Sequence, residues 1–407
     1  MLITRRGLAG SAAAMLPLGG GGVRAQNRQT IRIGVLNDQS GLFRDLSGMG
    51  SVAAVRQAVK DFGDHGFPVE VIFADHQNKP DVGAAIARQW CDGGVDAVID
   101  LPVSSVALAV NSVTREKNKV LITSAAATTD LTGPQCTPNT VQWTFDVYML
   151  AKAEGTAVVK EGGKSWYILY ADYVFGQQLA REATRFVKEA GGQVLGSAAF
   201  PFPGPGDFSA FLLKAQASGA QVLGLASTGG DFINCVKQAH EFGLPQTMRI
   251  TGLEVFITDI HALGLEVAQG LELCSPFYWD LNNRTRAFTK RLLADQKPQT
   301  YPTMVHAGCY AGVLHYLKAV AALGAGRAKA DGAAAVAQMK AMPTDDDAFG
   351  RNSIRADGRT VTPAYLFRVK APAESKGPWD YYAPIQTLQA DEIWRPLGEG
   401  GCPLVKA

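Results

Sequence analysis

The strongest constraint in this chain is an alternation of strand-length apolar runs with helix-period segments, and the alternation runs twice. Ile31–Leu36 (IRIGVL) reads as a short strand, followed by a Ser/Gly turn and a helix-period segment from Gly48 to Phe62. Val69–Ala74, Val95–Asp100 and Val120–Thr123 read as further strands, with helices near Pro80–Asp92 and Ser105–Lys117 between them. Strands separated by helical patterns of this length form βαβ units and a parallel sheet. The pattern restarts at Ser165–Tyr170 (SWYILY) and continues through strands at Gln193–Leu195, Val222–Ala226, Arg249–Thr251 and Gly270–Cys274. Helices are expected near Gly176–Ala190, Phe208–Ser218 and Asp231–Phe242, so two α/β halves of similar length stand side by side.

After Pro276 the chain turns helical again, over Asn283–Asp295, Met304–Ala322 and Gly332–Ala341. Ile354–Val369 then reads as a hairpin with Ala356-Asp357-Gly358-Arg359 as its turn. The tail from Ala371 is rich in Pro, Trp and Tyr and is expected to pack along the surface. At 407 residues, 47% apolar and 19% charged, the chain has the composition of a globular protein of two domains. Three of its cations lie before residue 26 (Arg5, Arg6 and Arg24), and the remainder is within one charge of neutral. A near-neutral body without a basic run argues against nucleic acid or an anionic membrane as its partner.

The first 26 residues have the parts of an export leader. Thr4-Arg5-Arg6 is a basic head, Leu8 to Leu18 a mildly apolar stretch, and Val23-Arg24-Ala25 a small-x-small cleavage site. The paired arginines before a Gly/Ala-rich segment point to twin-arginine export, with ordinary secretion as the alternative. Removal of the leader near Ala25 leaves a periplasmic protein, in a compartment that permits disulfides. Of the six cysteines, Cys91, Cys235, Cys274 and Cys309 read as buried free thiols. Cys136 and Cys402 lie in Pro/Gly-rich loop contexts that an oxidising compartment can bridge, although spacing alone does not fix connectivity.

Catalytic motifs are missing. Gly162-Gly163-Lys164-Ser165 resembles the end of a phosphate loop, but the glycine required five residues before Gly163 is Val158. No GxSxG, HExxH or GxGxxG after a strand occurs, and the six histidines are scattered. Asp345-Asp346-Asp347 lacks calcium-loop spacing and reads as a solvated loop. What remains are small, hydroxyl-rich turns at the carboxyl ends of strands, where open parallel sheets bind ligands. They hold Ser40, Ser104, Ser105, Ala125, Ala127 and Thr128 in the first half, and Tyr173, Phe175 and Gly229 in the second. Ser105 begins a helix, whose N-terminus favours a carboxylate through free N–H groups and the macrodipole.

Together these features resemble the type I periplasmic binding proteins, most closely the branched-chain amino-acid (leucine/isoleucine/valine) binding family of ABC transporters. Residues 31–41 (IRIGVLNDQSG) look like the family's first strand and loop. Ser104 through Leu131 matches its serine helix and following strand, Asp172–Gly176 (DYVFG) its aspartate–aromatic–glycine turn, and Gly252-Leu253-Glu254 its glycine-x-glutamate turn. The resemblance implies two Rossmann-like lobes with parallel central sheets, joined by a three-crossing hinge. Lobe one would take residues 27–146 and 277–352, lobe two 147–276 and 353–370, with 371–407 as a tail packed on both.

The implied function is capture of a small carboxylate-bearing solute by hinge closure, without cofactor or catalysis, and delivery to ABC permease subunits of the inner membrane. A monomer is usual in the family. A periplasmic sensor that presents its solute to a receptor is the alternative. Carried over, Ser104 and the backbone at Ala125 and Ala127 would hold the carboxylate, and Glu254 an ammonium. Phe175 stands where amino-acid binders have a tyrosine, Ala127 where they have a threonine, and Gly229 where they have another tyrosine. The last exchange would leave room for a larger ligand. The sequence also resembles members that bind aromatic acids, in which Tyr173 and Phe175 would stack on the ring.

Overall fold

The computed structural model describes residues 29–296 and 299–406; the leader, its Arg5–Arg6 pair and the Ala25 cleavage point lie outside the described residues. The first lobe runs β1 (Ile31–Asn37), α1 (Gly48–Phe62), β2 (Val69–Asp75), α2 (Pro80–Asp92), β3 (Ala97–Asp100), α3 (Ser104–Glu116), β4 (Val120–Thr123) and β5 (Thr140–Gln142). Its strands form one parallel sheet in the order β2-β1-β3-β4-β5, with Ile33 opposite Ala97 and Ala97 opposite Val120. Helices cover both faces, which is why β3 and β4 are buried at every residue and lack polar alternation.

The second lobe repeats the scheme with α4 (Val147–Lys160), β6 (Ser165–Ala171), α5 (Val174–Glu189), β7 (Gln193–Phe200), α6 (Ser209–Ala217), β8 (Val222–Ala226), α7 (Gly229–Glu241) and β9 (Arg249–Gly252). The sheet order is β7-β6-β8-β9, again parallel. Two short helices, α8 (Ile257–Leu263) and α9 (Leu265–Ala268), lead to β10 (Glu272–Ser275). The chain then returns to the first lobe through α10 (Asn283–Leu293), α11 (Met304–Leu323), α12 (Ala325–Ala330) and α13 (Gly332–Ala341). It continues through β11 (Thr344–Asp346), β12 (Gly350–Ile354), β13 (Thr360–Val361), β14 (Ala364–Val369), β15 (Tyr382–Leu388) and α14 (Ala390–Ile393). It passes between the lobes three times: between β5 and α4, between β10 and α10, and between β13 and β14.

The longest helix, α11, is buried over most of its circumference. Gly308 makes its close approach possible, because a Cβ there would overlap the Thr144 hydroxyl. Its two histidines are tied to backbone: His306 Nε2 meets the Ser47 carbonyl at 2.9 Å, and His315 Nε2 meets the Met339 carbonyl at 2.8 Å while its Nδ1 finds no partner among the described residues.

Four regions depart from the sequence reading. β5 and α4 were not anticipated, because three residues carry no period and α4 is apolar nearly all round. The Asp146 side chain, which caps α4 by accepting from the Met149 amide at 2.9 Å, was the available signal. The expected 354–369 hairpin divides: Ile354 pairs with Thr360, but β14 leaves to pair antiparallel with β10 and β15. Pro363, which lacks an N–H, sits at the division. Asp345 and Asp346 belong to the short strand β11 and Asp347 to the turn after it, so the run is not a solvated loop. Asp346 is buried and accepts the Ala348 and Phe349 amides, both at 2.8 Å, while Asp345 and Asp347 pair with Arg284 at 2.8 and 2.9 Å. Finally, the tail adds β15 to the second lobe's antiparallel sheet. The Cys136–Cys402 bridge that the loop contexts allowed is formed, with Cα atoms 5.6 Å apart. Cys91, Cys235, Cys274 and Cys309 are free and buried.

Candidate functional site

The carboxyl ends of both parallel sheets open toward one cleft. On the first-lobe side, Ser104 is the first residue of α3, 1% exposed, and its hydroxyl has no hydrogen-bond partner. The amides of that first turn have no acceptor within the helix. Asp100 and Leu101, at φ 90° and 65°, turn the chain from β3 into α3. Asn37 Nδ2 (2.9 Å) and the Ser47 hydroxyl (2.7 Å) both donate to the Asp100 carboxylate and hold the turn. After β4, Ala125 and Ala127 are buried, and their amides meet no acceptor among the described residues. This wall offers N–H and O–H donors, and its one carboxyl, Asp100, is fully buried, held by Asn37 and Ser47 and raised in pKa by that burial.

The second-lobe wall is acidic and aromatic. Glu254, in the turn after β9, is 4% exposed, and no group among the described residues donates to its carboxylate. Burial pushes its pKa well above the ordinary range, and neighbouring Asp259 pushes it further. Burial also raises Asp259, to about 7, although the Phe256 and Gly229 amides favour its ionised form. Burial raises Asp231 to about 6, with the Gly204 amide opposing at 3.0 Å. Tyr173, immediately before α5, has its hydroxyl pKa raised by burial and then by the charges of Glu254 and Asp231. Its ring stacks on Phe202 with centroids 4.2 Å apart and meets Phe175 at 5.7 Å.

The lobes touch across the cleft. The Gly230 amide donates to the Leu42 carbonyl at 3.3 Å, and Phe43 stacks on Phe202 at 5.8 Å. Thr128 Oγ1 and the Thr129 amide both donate to Gln178 Oε1 of α5, at 2.9 and 3.2 Å. The loop that carries Leu42 and Phe43 is fixed by Asp38, which accepts the Gly41 and Phe43 amides at 2.6 and 2.9 Å and Asn78 Nδ2 at 2.8 Å. A cavity of about 360 Å³ at the cleft mouth is lined by Ser40, Leu42, Gly229, Thr258 and Asp259 among others. A larger cavity, about 600 Å³, lies away from the cleft on the first lobe's outer face, among the paired charges of Arg284, Arg291, Asp61, Asp345 and Asp347.

Residues 30–378 match the periplasmic binding protein family. The chain belongs to that family. A periplasmic binding protein of Burkholderia mallei is 44% identical, with a TM-score of 0.88 over 93% of this chain and 99% of that one. A branched-chain amino-acid ABC transporter periplasmic ligand-binding protein of Burkholderia xenovorans LB400 is 39% identical, with a TM-score of 0.80 over 92% of this chain and 99% of that one. A Leu/Ile/Val-binding protein homolog of Brucella melitensis is 27% identical over 248 residues, 59% of this chain; the match spans 66% of the Brucella protein, just under two thirds. The family is one of periplasmic ligand-binding proteins of ABC transporters, and its fold, two lobes with parallel central sheets, is the one seen here.

Within this binding protein, the residues singled out by sequence fall into three groups. Ser104, Ala125 and Ala127 lie on the first-lobe wall with half-buried Ser105 beside them, and Tyr173, Phe175 and Glu254 lie on the second. Ser40 and Gly229 are at the mouth, where the Ser40 hydroxyl donates to Asp75 at 2.7 Å. Thr128 is engaged by Gln178. At Gly229 the Cβ direction is occupied, since its φ is +60° and a Cβ would come within 2.7 Å of the Leu42 carbonyl and 3.0 Å of the Phe43 ring, while the residue also lines the cavity at the mouth. Sequence reasoning missed Phe43, Phe202, Gln178, Asp231 and Asp259. Phe202 had a signal, in the aromatic and Pro/Gly-rich loop FPFPGPGD after β7. Phe43 and Gln178 had none, since only the opposite lobe gives them a partner.

Proposed function

We propose that this binding protein captures an α-amino acid with a large apolar or aromatic side chain by hinge closure and delivers it to an ABC permease. Glu254 carries the reading. A buried carboxylate without a donor is a costly group unless something cationic completes it. A ligand ammonium supplies that cation, while the α3 N-terminus, Ser104 and the Ala125 and Ala127 amides receive its carboxylate. Tyr173, Phe175, Phe202 and Phe43 form the apolar side. A bridging ligand favours the closed form by its differential affinity for that state.

An aromatic acid is the second reading, favoured by the stacked rings. The two differ in the sign of their pH dependence. The carboxyl of Glu254 holds a proton well above pH 4.5 in the protein alone. Pairing with an ammonium requires it to ionise, so binding releases a proton and affinity rises with pH while the ligand amine stays charged. An aromatic acid uses the protonated carboxyl as a donor, and its affinity falls with pH. Melting shifts with L-leucine, L-phenylalanine, benzoate and 4-hydroxycinnamate, followed by calorimetry at pH 6, 7 and 8, decide between them. No shift with any carboxylate would overturn the reading. Uptake of the ligand lost on deletion of the gene distinguishes transport from sensing.

A further inference from the structure

Residues 389–402 join the two lobes a fourth time, and we propose that they form a disulfide-closed strap that limits how far the lobes open. The inference rests on the lobe motion proposed above, but its test does not require a ligand. The strap starts in the second lobe, where Leu388 of β15 pairs with Ala364 of β14 and α14 packs on α4. It then runs over the hinge. The Arg359 guanidinium lies over the Trp394 ring, 4.4 Å from its centroid, and the Trp394 indole N–H donates to the Thr362 carbonyl at 2.7 Å. Arg359 is 1% exposed and also donates to the Phe145 carbonyl at 2.9 Å, so Trp394 covers the group that ties the first passage between lobes to the third.

Beyond the hinge the strap grips the first lobe. The Arg355 guanidinium donates to the Arg395 carbonyl at 2.7 Å, and the Arg395 guanidinium donates to the Thr129 and Thr132 carbonyls, both at 3.1 Å. Arg185 of α5 reaches Glu399 at 3.9 Å, a half-exposed pair of little strength. Cys402 then closes the circuit covalently on Cys136, which stands just after the Thr129–Thr132 turn.

This attachment is beside the cleft and not only behind it. Thr129 donates its amide to Gln178 of the second lobe and gives its carbonyl to Arg395 of the strap. Moving the lobes apart parts Thr129 from Gln178 and pulls on the strap at the same residue. A fully extended segment of this length would reach roughly 45 Å, so length alone sets no limit. The limit comes from Trp394 and Arg395, which must let go before the segment can extend. A terminal segment held by so few contacts frays unless its end is tied down, and the disulfide ties it.

The test is small-angle scattering of the ligand-free full mature chain, as wild type and as Cys402→Ser, with amide exchange read at Thr128, Thr129 and Gln178. A larger radius of gyration and faster exchange at those sites in Cys402→Ser are expected, with several-fold weaker binding of whichever amino acid shifts the wild-type melting point. A second variant, Arg395→Ala, keeps the disulfide and is expected to open part of the way; it decides the matter if Cys402→Ser fails to fold. A lower melting temperature with an unchanged radius and unchanged exchange would make the disulfide purely structural and overturn the strap. Failure of every ligand to bind would overturn the proposed function and leave the scattering comparison standing.

Discussion

The two walls of the cleft solve opposite problems with opposite materials. The first-lobe wall offers backbone amides, the Ser104 hydroxyl and a helix end, with side chains as small as alanine, and would receive negative charge in the proposed binding mode. The second-lobe wall holds a buried acid, Glu254, whose carboxyl is kept protonated above the ordinary range by burial and by neighbouring Asp259, and surrounds it with Tyr173, Phe175 and Phe202. In the proposed binding mode, anion recognition would be a property of chain path and cation recognition a property of individual side chains. Substitutions should therefore act unequally on the two walls.

The largest effect is expected from Glu254→Gln, which removes the charge and keeps the shape. Amino-acid affinity should fall by about a hundredfold, from the roughly 1.5–3 kcal/mol of a charged hydrogen bond, without loss of melting temperature. Calorimetry checks the first and a thermal melt the second; an unchanged affinity removes Glu254 from the site. Gly229→Ala should weaken binding by about tenfold, from roughly 1–2 kcal/mol of left-handed backbone strain together with its collision with Leu42. That loss should be similar for every ligand, because the collision acts on lobe contact and not on ligand chemistry. On the first-lobe wall Ser104→Ala should cost only about fivefold, near 1 kcal/mol, since the amides remain. A loss there as large as that of Glu254→Gln would erase the contrast between the walls.

The smallest effect on binding is expected at a second buried acid. Glu154 of α4 is fully buried with neither carboxylate oxygen partnered; burial, then the charge of Glu272, raises its pKa well above the ordinary value. Its neighbour Glu272 is raised to about 7, chiefly by burial. The folded chain thus holds a proton that the unfolded chain gives up near pH 4.5. This stabilisation is complete below that pH and is lost as pH rises toward the folded-state value. Glu154→Gln should flatten the fall in melting temperature between pH 5 and pH 8 and leave ligand affinity unchanged. Glu154 and Glu254 share burial and lack of a partner, and differ in whether they face the cleft.

The α/β architecture was legible because a buried parallel strand must be apolar and a covering helix must be periodic. α4 escaped because an element buried on nearly all sides loses its period. The hydroxyl-rich turn after a strand pointed to Ser104, whereas Glu254 came only from the family resemblance. The sequence could not show that Gly229 is shared by the two lobes: it lines the cavity at the mouth, and Leu42 and Phe43 of the other lobe stand where its Cβ would be.

The contacts of Gly230 with Leu42, Phe43 with Phe202 and Thr128 with Gln178 run directly from one lobe to the other. If the lobes close as proposed, these contacts stabilise the closed shape whether or not the cleft is filled, so closure without cargo would carry a smaller penalty than a hinge alone would impose. A partner that recognises only the outline of the closed lobes would then meet false positives, at a frequency set by these few contacts. Their strength fixes a background level of signalling or transport attempts, and weakening them would trade affinity for fidelity.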